Sequence, residues 1–228
     1  MIRLSAIVVA FGLAPGAASA CGLELVLAMD VSRSVINDEY DMQMGGMANA
    51  FRNTEIIDAI GWIPGGVMAT LTQWSGSGQQ VQSIGWRHLT SPDSVIAFAT
   101  EIDLTNRKFF QSYTAIGDAL WHANSLSATN PRDCKRRVID VSGDGISNRG
   151  REPVRVAEAL AANGVTINAV VIRGARPDPA EYYIDNVVRG PGAFIEVADT
   201  FHDYARAIQQ KLLRELTPAL ASREGGAG

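Results

Sequence analysis

The sequence predicts an α/β fold: a doubly wound, mostly parallel central sheet with one antiparallel edge strand and helices on both faces. Three observations carry that expectation. Strand-like runs alternate along the chain with segments whose apolar residues recur at helical spacing. The run Leu23 to Met29 is apolar at almost every position, as a central strand covered on both sides must be. One stretch, residues 66–89, breaks the alternation, because two β-rich runs flank Ser75 to Gly78 and so form a hairpin with an antiparallel edge strand.

The elements follow in order. Residues 1–20, "MIRLSAIVVAFGLAPGAASA", carry one early cation (Arg3), an apolar stretch from Leu4 to Leu13 and an Ala-Ser-Ala pattern before Cys21, which is the layout of a cleaved secretory signal. The apolar stretch falls short of the ~20 residues a membrane-spanning helix needs. Export to the periplasm or beyond is the expectation. A Cys left first after cleavage is also the pattern of a lipoprotein, but Ala18 stands where a lipid-attachment site favours a large aliphatic residue.

After the strand Leu23 to Met29, Tyr40, Met44, Met47 and Phe51 recur at spacings of three and four and predict a helix over 38–51, with a second over 54–60. Beyond the hairpin, Ser91-Pro92-Asp93 opens a helix through Ile102, and another follows Thr114 with Ile116, Leu120 and Ala123 on one face. Val138 to Ser142 reads as a short buried strand. A helix over 152–162 stops at Asn163-Gly164 and leads into the strand Val165 to Ile172. A loop and short helix lie within 173–192, the last strand spans 193–197, and a closing helix runs over 200–216 until Pro218. The expected organisation is a signal at 1–20, one domain over 21–218 and a disordered tail at 219–228.

A net charge of -4 and a pI near 5.4 offer no footprint for nucleic acid. The single basic run, Lys135-Arg136-Arg137, reads as a solvated strand start. The two cysteines, Cys21 and Cys134, each precede an apolar strand. If those strands are parallel neighbours about 4.8 Å apart, their starts meet the separation a disulfide requires, and the pair would close in an oxidising compartment. That bond would leave no Cys21 thiol for a lipid.

In an open parallel sheet, functional residues collect in loops at the carboxyl ends of strands. Three segments place small oxygen-bearing residues there: Asp30-Val31-Ser32-Arg33-Ser34, then Thr114 in "QSYTAIGDAL", then Asp144 in "DVSGDG". Two carboxylates and three hydroxyls suit a hard divalent cation such as Mg²⁺, with Ca²⁺ or Mn²⁺ as alternatives, whereas Zn²⁺ favours His or Cys ligands that these loops lack.

These residues resemble the metal-ion-dependent adhesion site of a von Willebrand factor type A domain: D-x-S-x-S, then Thr in a second loop, then Asp in a third. The strand-helix order is similar over nearly the whole mature chain, and Tyr182, Tyr183 and "GPGAF" resemble secreted Gram-negative bacterial members of that superfamily. The resemblance implies that Ser32, Ser34 and Thr114 contact metal directly and that an Asp acts mainly through water. It also implies that a Glu or Asp of a protein partner completes the coordination. Arg33 stands where Gly is common and Gly143 where Thr or Ser is usual, so the third loop's hydroxyl falls at Ser142. Arg33 and Ser142 are therefore expected on the partner-binding rim.

The expected function is a secreted, non-enzymatic binding module that coordinates Mg²⁺ and takes a protein carboxylate. A metal-assisted hydrolase and a structural domain with an empty site are the alternatives. No G-x-S-x-G and no phosphate-binding loop occurs, and His88, His122 and His202 accompany no nucleophile motif. Met42, Met44 and Met47 read as helix packing. Tyr182 and Tyr183 read as cover for a strand edge or the core.

Overall fold

The structure is a computed structural model that describes residues 20–110 and 113–217. The expected signal segment, apart from Ala20, together with Pro218 and the expected tail, lies outside the described residues.

Six strands form one sheet in the order β3-β2-β1-β4-β5-β6. They are β1 (Cys21–Asp30), β2 (Val67–Trp74), β3 (Gln80–Leu89), β4 (Cys134–Gly143), β5 (Val165–Ile172) and β6 (Ile195–Ala198). Every neighbouring pair is parallel except β2 with β3 at the edge. The chain runs outward from β1 through β2 to β3, then returns to lay β4 on the other side of β1. The strand order therefore reverses between β1 and β4, and the crevice at their carboxyl ends is the place where such sheets bind ligands.

β1 is buried on both faces because both alternating sets of side chains are apolar. Leu23, Leu25, Leu27 and Met29 enter one core with α1 (Asn37–Arg52), α2 (Thr54–Gly61), α3 (Pro92–Asp103) and α7 (Tyr204–Leu216). Val26 and Ala28 enter the opposite core with α4 (Ile116–Ser125), α5 (Pro153–Ala162) and α6 (Pro179–Asn186). Each fully buried leucine contributes roughly 2 kcal/mol, so β1 is the strand least free to shift. Glu24, the acid within the strand before its terminal Asp30, is buried and satisfied by the Ser127 hydroxyl and by Asn130 Nδ2 at 2.6 Å.

The register sets Cys21 opposite Cys134, their Cα atoms are 4.4 Å apart, and the two form a disulfide. The bond closes a separation of 113 residues, and the chain-entropy model gives a loop of that length about 4–5 kcal/mol of stabilisation.

Some boundaries depart from the expected ones. β4 begins four residues before Val138, because pairing with β1 extends back to Cys134. Lys135-Arg136-Arg137 thus belong to the strand; Arg136 donates to the Glu215 carbonyl and Arg137 to the Asn163 carbonyl. β6 starts at Ile195 rather than 193, and the closing helix is preceded by a 3₁₀ turn at Phe201–Asp203. The helix stop at Asn163-Gly164 is as expected, with Gly164 at φ 75°. Among the described residues, no helix is long and apolar enough to cross a membrane.

Candidate metal centre

The site is assembled at the reversal point from three loops. Asp30, the last residue of β1, is fully buried, and its Oδ1 accepts from the Ser32 amide at 2.7 Å. That Asx-type turn bends the chain back over the end of the sheet and brings the two serines together. Ser32 Oγ and Ser34 Oγ lie 3.2 Å apart. Ser34 Oγ donates to Asp144 Oδ1 at 2.8 Å across a sequence separation of 110. Thr114 Oγ1 donates to Ser32 Oγ at 3.4 Å. Asp30, Ser32, Ser34, Thr114 and Asp144 are therefore brought into one connected cluster of oxygens.

Residues that the sequence did not single out hold the cluster in place. Asn148 grips Thr114 from both sides, its side chain accepting from the Thr114 amide at 3.0 Å and its amide donating to the Thr114 carbonyl at 2.9 Å. Ser147 Oγ donates to the same carbonyl. The buried Asp118, in the first turn of α4, accepts from Ser77 Oγ and from the Arg151 guanidinium, each at 2.5 Å, and ties the hairpin turn to the loop after β4. Burial opposes its ionisation, but those hydrogen bonds outweigh burial and hold its pKa below the ordinary carboxylate value. Arg107 donates to the carbonyls of Val31 and Ser32 at 3.0 and 2.9 Å, clamping the first loop from outside. Nothing local in the sequence marks these residues, because each acts on a partner more than thirty positions away.

The electrostatics are unfavourable as they stand. Burial pushes the Asp30 carboxyl well above its usual range, and the neighbouring Asp144 pushes it further. Asp144 is likewise raised, by burial and by the nearby Glu39, although its bond from Ser34 opposes the shift. Asp30 Oδ2 is buried without a hydrogen-bond partner. A cation among these oxygens would relieve all three conditions. Among the described residues no three His, Cys, Asp or Glu side chains converge here, so hydroxyls supply most of the donors.

The rim differs in part from expectation. Arg33 is exposed on the first loop. Ser142 is not on the rim: it is 1% exposed, and its hydroxyl pairs with the Tyr204 hydroxyl of α7 at 3.1 Å. The reason is the pleat, which turns Ser142 to the same face of β4 as Asp140, toward α7. Two aromatics that the sequence reading passed over are exposed beside the Thr114 loop. Phe110 is 58% and Tyr113 55% exposed, with Arg107 and Arg149 stacked on them at 5.1 and 4.4 Å. On the opposite flank a cleft beside Ser34 and Asp144 is lined by Ile36, Glu39, Met42, Arg173, Phe201 and His202. Met44 and Met47 are core residues, whereas Met42 faces this cleft.

This sheet order, with its site at the ends of β1 and β4, defines a von Willebrand factor type A fold. The vWF domain of the type V pili tip protein Mfa5 from Porphyromonas gingivalis superposes with a TM-score of 0.64 at 10% identity, covering 88% of this chain and 97% of that one. Proximal thread matrix protein 1 from the mussel byssus, solved with a zinc-occupied MIDAS motif, gives 0.62 at 18% identity over 87% of this chain and 47% of that one. The pilus adhesin SpaC from Lactobacillus rhamnosus GG, in its open conformation, gives 0.61 at 15% over 87% and 30%. The chain thus spans about half the length of the mussel protein and less of the adhesin. No curated protein sequence matches it. Residues 20–220 match the model of one sequence family, and the chain belongs to it: Protein of unknown function (DUF1194).

Proposed function

We propose that the protein is an exported adhesion-type binding module. In this reading Asp30, Ser32, Ser34, Thr114 and Asp144 hold a divalent cation, Mg²⁺, and the ion takes a Glu or Asp carboxylate from a protein partner. One observation carries it: two buried carboxylates with raised pKa values are joined by three linked hydroxyls at the sheet's reversal point, and among the described residues no lysine or arginine forms an ion pair with either, Arg107 opposing the Asp30 shift only from a distance. An all-oxygen donor set favours a hard ion. With only two carboxylates, a bound divalent ion keeps enough positive character to attract an external anion.

The exposed surroundings support a protein partner. Arg33 and the arginine-backed aromatics Phe110 and Tyr113 are the residue types that anchor protein interfaces. The zinc found in the mussel protein's motif is consistent with a cation at the equivalent place. The Cys21–Cys134 disulfide fits a chain that works outside the reducing cytoplasm.

Affinity capture from a periplasmic extract, in Mg²⁺ and in EDTA, tests the reading. The expected result is a partner retained by wild type in Mg²⁺ and lost both in EDTA and with Asp144→Ala. Capture that is indifferent to EDTA and to the substitution would exclude a metal-mediated contact.

A further inference from the structure

β4 ends in Gly143, one residue before Asp144, and the space beside that glycine is already taken. A Cβ added there would overlap the hydroxyl of Tyr183, closer than the 3.0 Å that real Cβ atoms keep, and would lie 3.3 Å from Asp30 Oδ2 and 3.5 Å from Tyr183 Cζ. Glycine is thus required by what α6 inserts from the other side. The Tyr183 ring belongs to the second core and is fully buried.

Core packing explains the ring but not the hydroxyl. Tyr183 Oη is buried without a hydrogen-bond partner, and so is Asp30 Oδ2. Each orphan costs stability, and a phenylalanine would fill the same volume without that cost. The two orphans border the same small space and are chemically complementary. A carboxylate oxygen accepts and a phenol hydroxyl donates.

We infer that Tyr183 is a positioning residue of the cation site: its hydroxyl donates to Asp30 Oδ2 when a cation is bound. The Ser32 amide fixes Oδ1 and Tyr183 fixes Oδ2, so the carboxylate plane cannot rotate away from the metal. The inference rests on the cation reading of the same site. It adds a hydroxyl delivered from α6 that reaches the site from beneath the loops.

The test uses wild type, Tyr183→Phe, Gly143→Ser and the double variant, each titrated with Mg²⁺ by calorimetry and unfolded with urea in EDTA. Loss of a buried partner behind a metal-site ligand typically weakens affinity by about 10–100-fold, and Tyr183→Phe should fall in that range. Its unfolding midpoint in EDTA should be equal to or above that of wild type, since an orphan has been removed. Gly143→Ser should unfold at lower urea, because its Cβ meets the phenol oxygen. In the double variant that oxygen is gone and Cζ stands 3.5 Å from the added Cβ, an ordinary contact, so the urea midpoint should recover.

Wild-type affinity in Tyr183→Phe would overturn the inference, as would a matching loss of affinity and of metal-free stability, which would mark a purely structural tyrosine. Failure of wild type to bind Mg²⁺, Mn²⁺, Ca²⁺ or Zn²⁺ would instead overturn the cation reading, and this inference with it.

Discussion

β4 and the residue that follows it carry two buried aspartates four positions apart, Asp140 and Asp144, and the protein treats them in opposite ways. Asp140 faces α7, where Lys211 Nζ lies 2.6 Å from its Oδ2 and 2.6 Å from Glu215 Oε1. Lys211, Asp140 and Glu215 are all nearly or fully inaccessible, and Asn168 Nδ2 adds a bond to Glu215 at 2.7 Å. Asp144, past the strand end, faces Asp30 and hydroxyls instead. The first cluster carries its own ammonium, whereas among the described residues no lysine or arginine forms an ion pair with the second, Arg107 acting on Asp30 only from a distance. Burying a charge without a counter-charge is expensive, so a fold keeps such a group only where something from outside completes it. The contrast teaches how to separate structural from functional carboxylates on one strand: by where the compensating cation comes from.

The sharpest way to break the comparison is to remove one member of each cluster and measure both metal binding and stability. Asp144→Ala should reduce Mg²⁺ affinity by more than about 100-fold in calorimetry, as loss of a ligand rather than of its support. In EDTA the same variant should unfold no earlier than wild type, because a like charge beside Asp30 has gone. A large loss of metal-free stability would mean that Asp144 belongs to the structural class.

Lys211→Met should behave in the reverse sense. It leaves Asp140 and Glu215 buried without their cation, and breaking a buried pair in this way costs about 3–5 kcal/mol, readable as a shift in the urea midpoint. Mg²⁺ affinity of the folded fraction should stay within about threefold of wild type, since no loop residue is touched. A tenfold loss of affinity would show that the two clusters are coupled through β4.

The smallest effect concerns pH. Burial pushes Asp140 up to about 7; Lys211 pulls against this and Glu215 adds to it. A carboxyl whose folded pKa exceeds its unfolded value binds its proton more tightly in the folded state. Its contribution is fully present below the ordinary value of 3.8 and is lost as pH rises through about 7. Stability in EDTA should therefore decline between pH 5 and 8, with Asp140 accounting for on the order of 2 kcal/mol. Asp30 and Asp144 add slope of the same sign, so the difference between wild type and Asp140→Asn isolates the Asp140 share. Parallel curves for the two proteins would show that Asp140 does not titrate in this window.

How much was legible depended on how far each interaction reaches along the chain. The helix over 38–51, the hairpin around Ser75 to Gly78 and the stop at Asn163-Gly164 rest on local periodicity and turn chemistry, and they stand within a residue or two. The disulfide was accessible by a different route, since both cysteines mark strand starts. Asn148, Arg107 and Lys211 were not accessible, because each is an ordinary residue until the fold chooses its partner. Ser142 went astray for a simpler reason. Adjacency to Asp144 in sequence suggested the rim, but strand alternation sends it to α7.

By itself the sequence determined the alternation of strands and helices, the apolar character of β1 and the kinds of oxygen placed at three loop positions, all of which are local properties of the chain. Only the tertiary structure decided that β4 returns beside β1, joining Ser34 to Asp144 and Thr114 to Ser32. It also decided that Asp140 meets a lysine while Asp144 does not. Both outcomes depend on which side of the sheet a distant helix packs against, and that is fixed by the burial of whole faces rather than by any short stretch of residues.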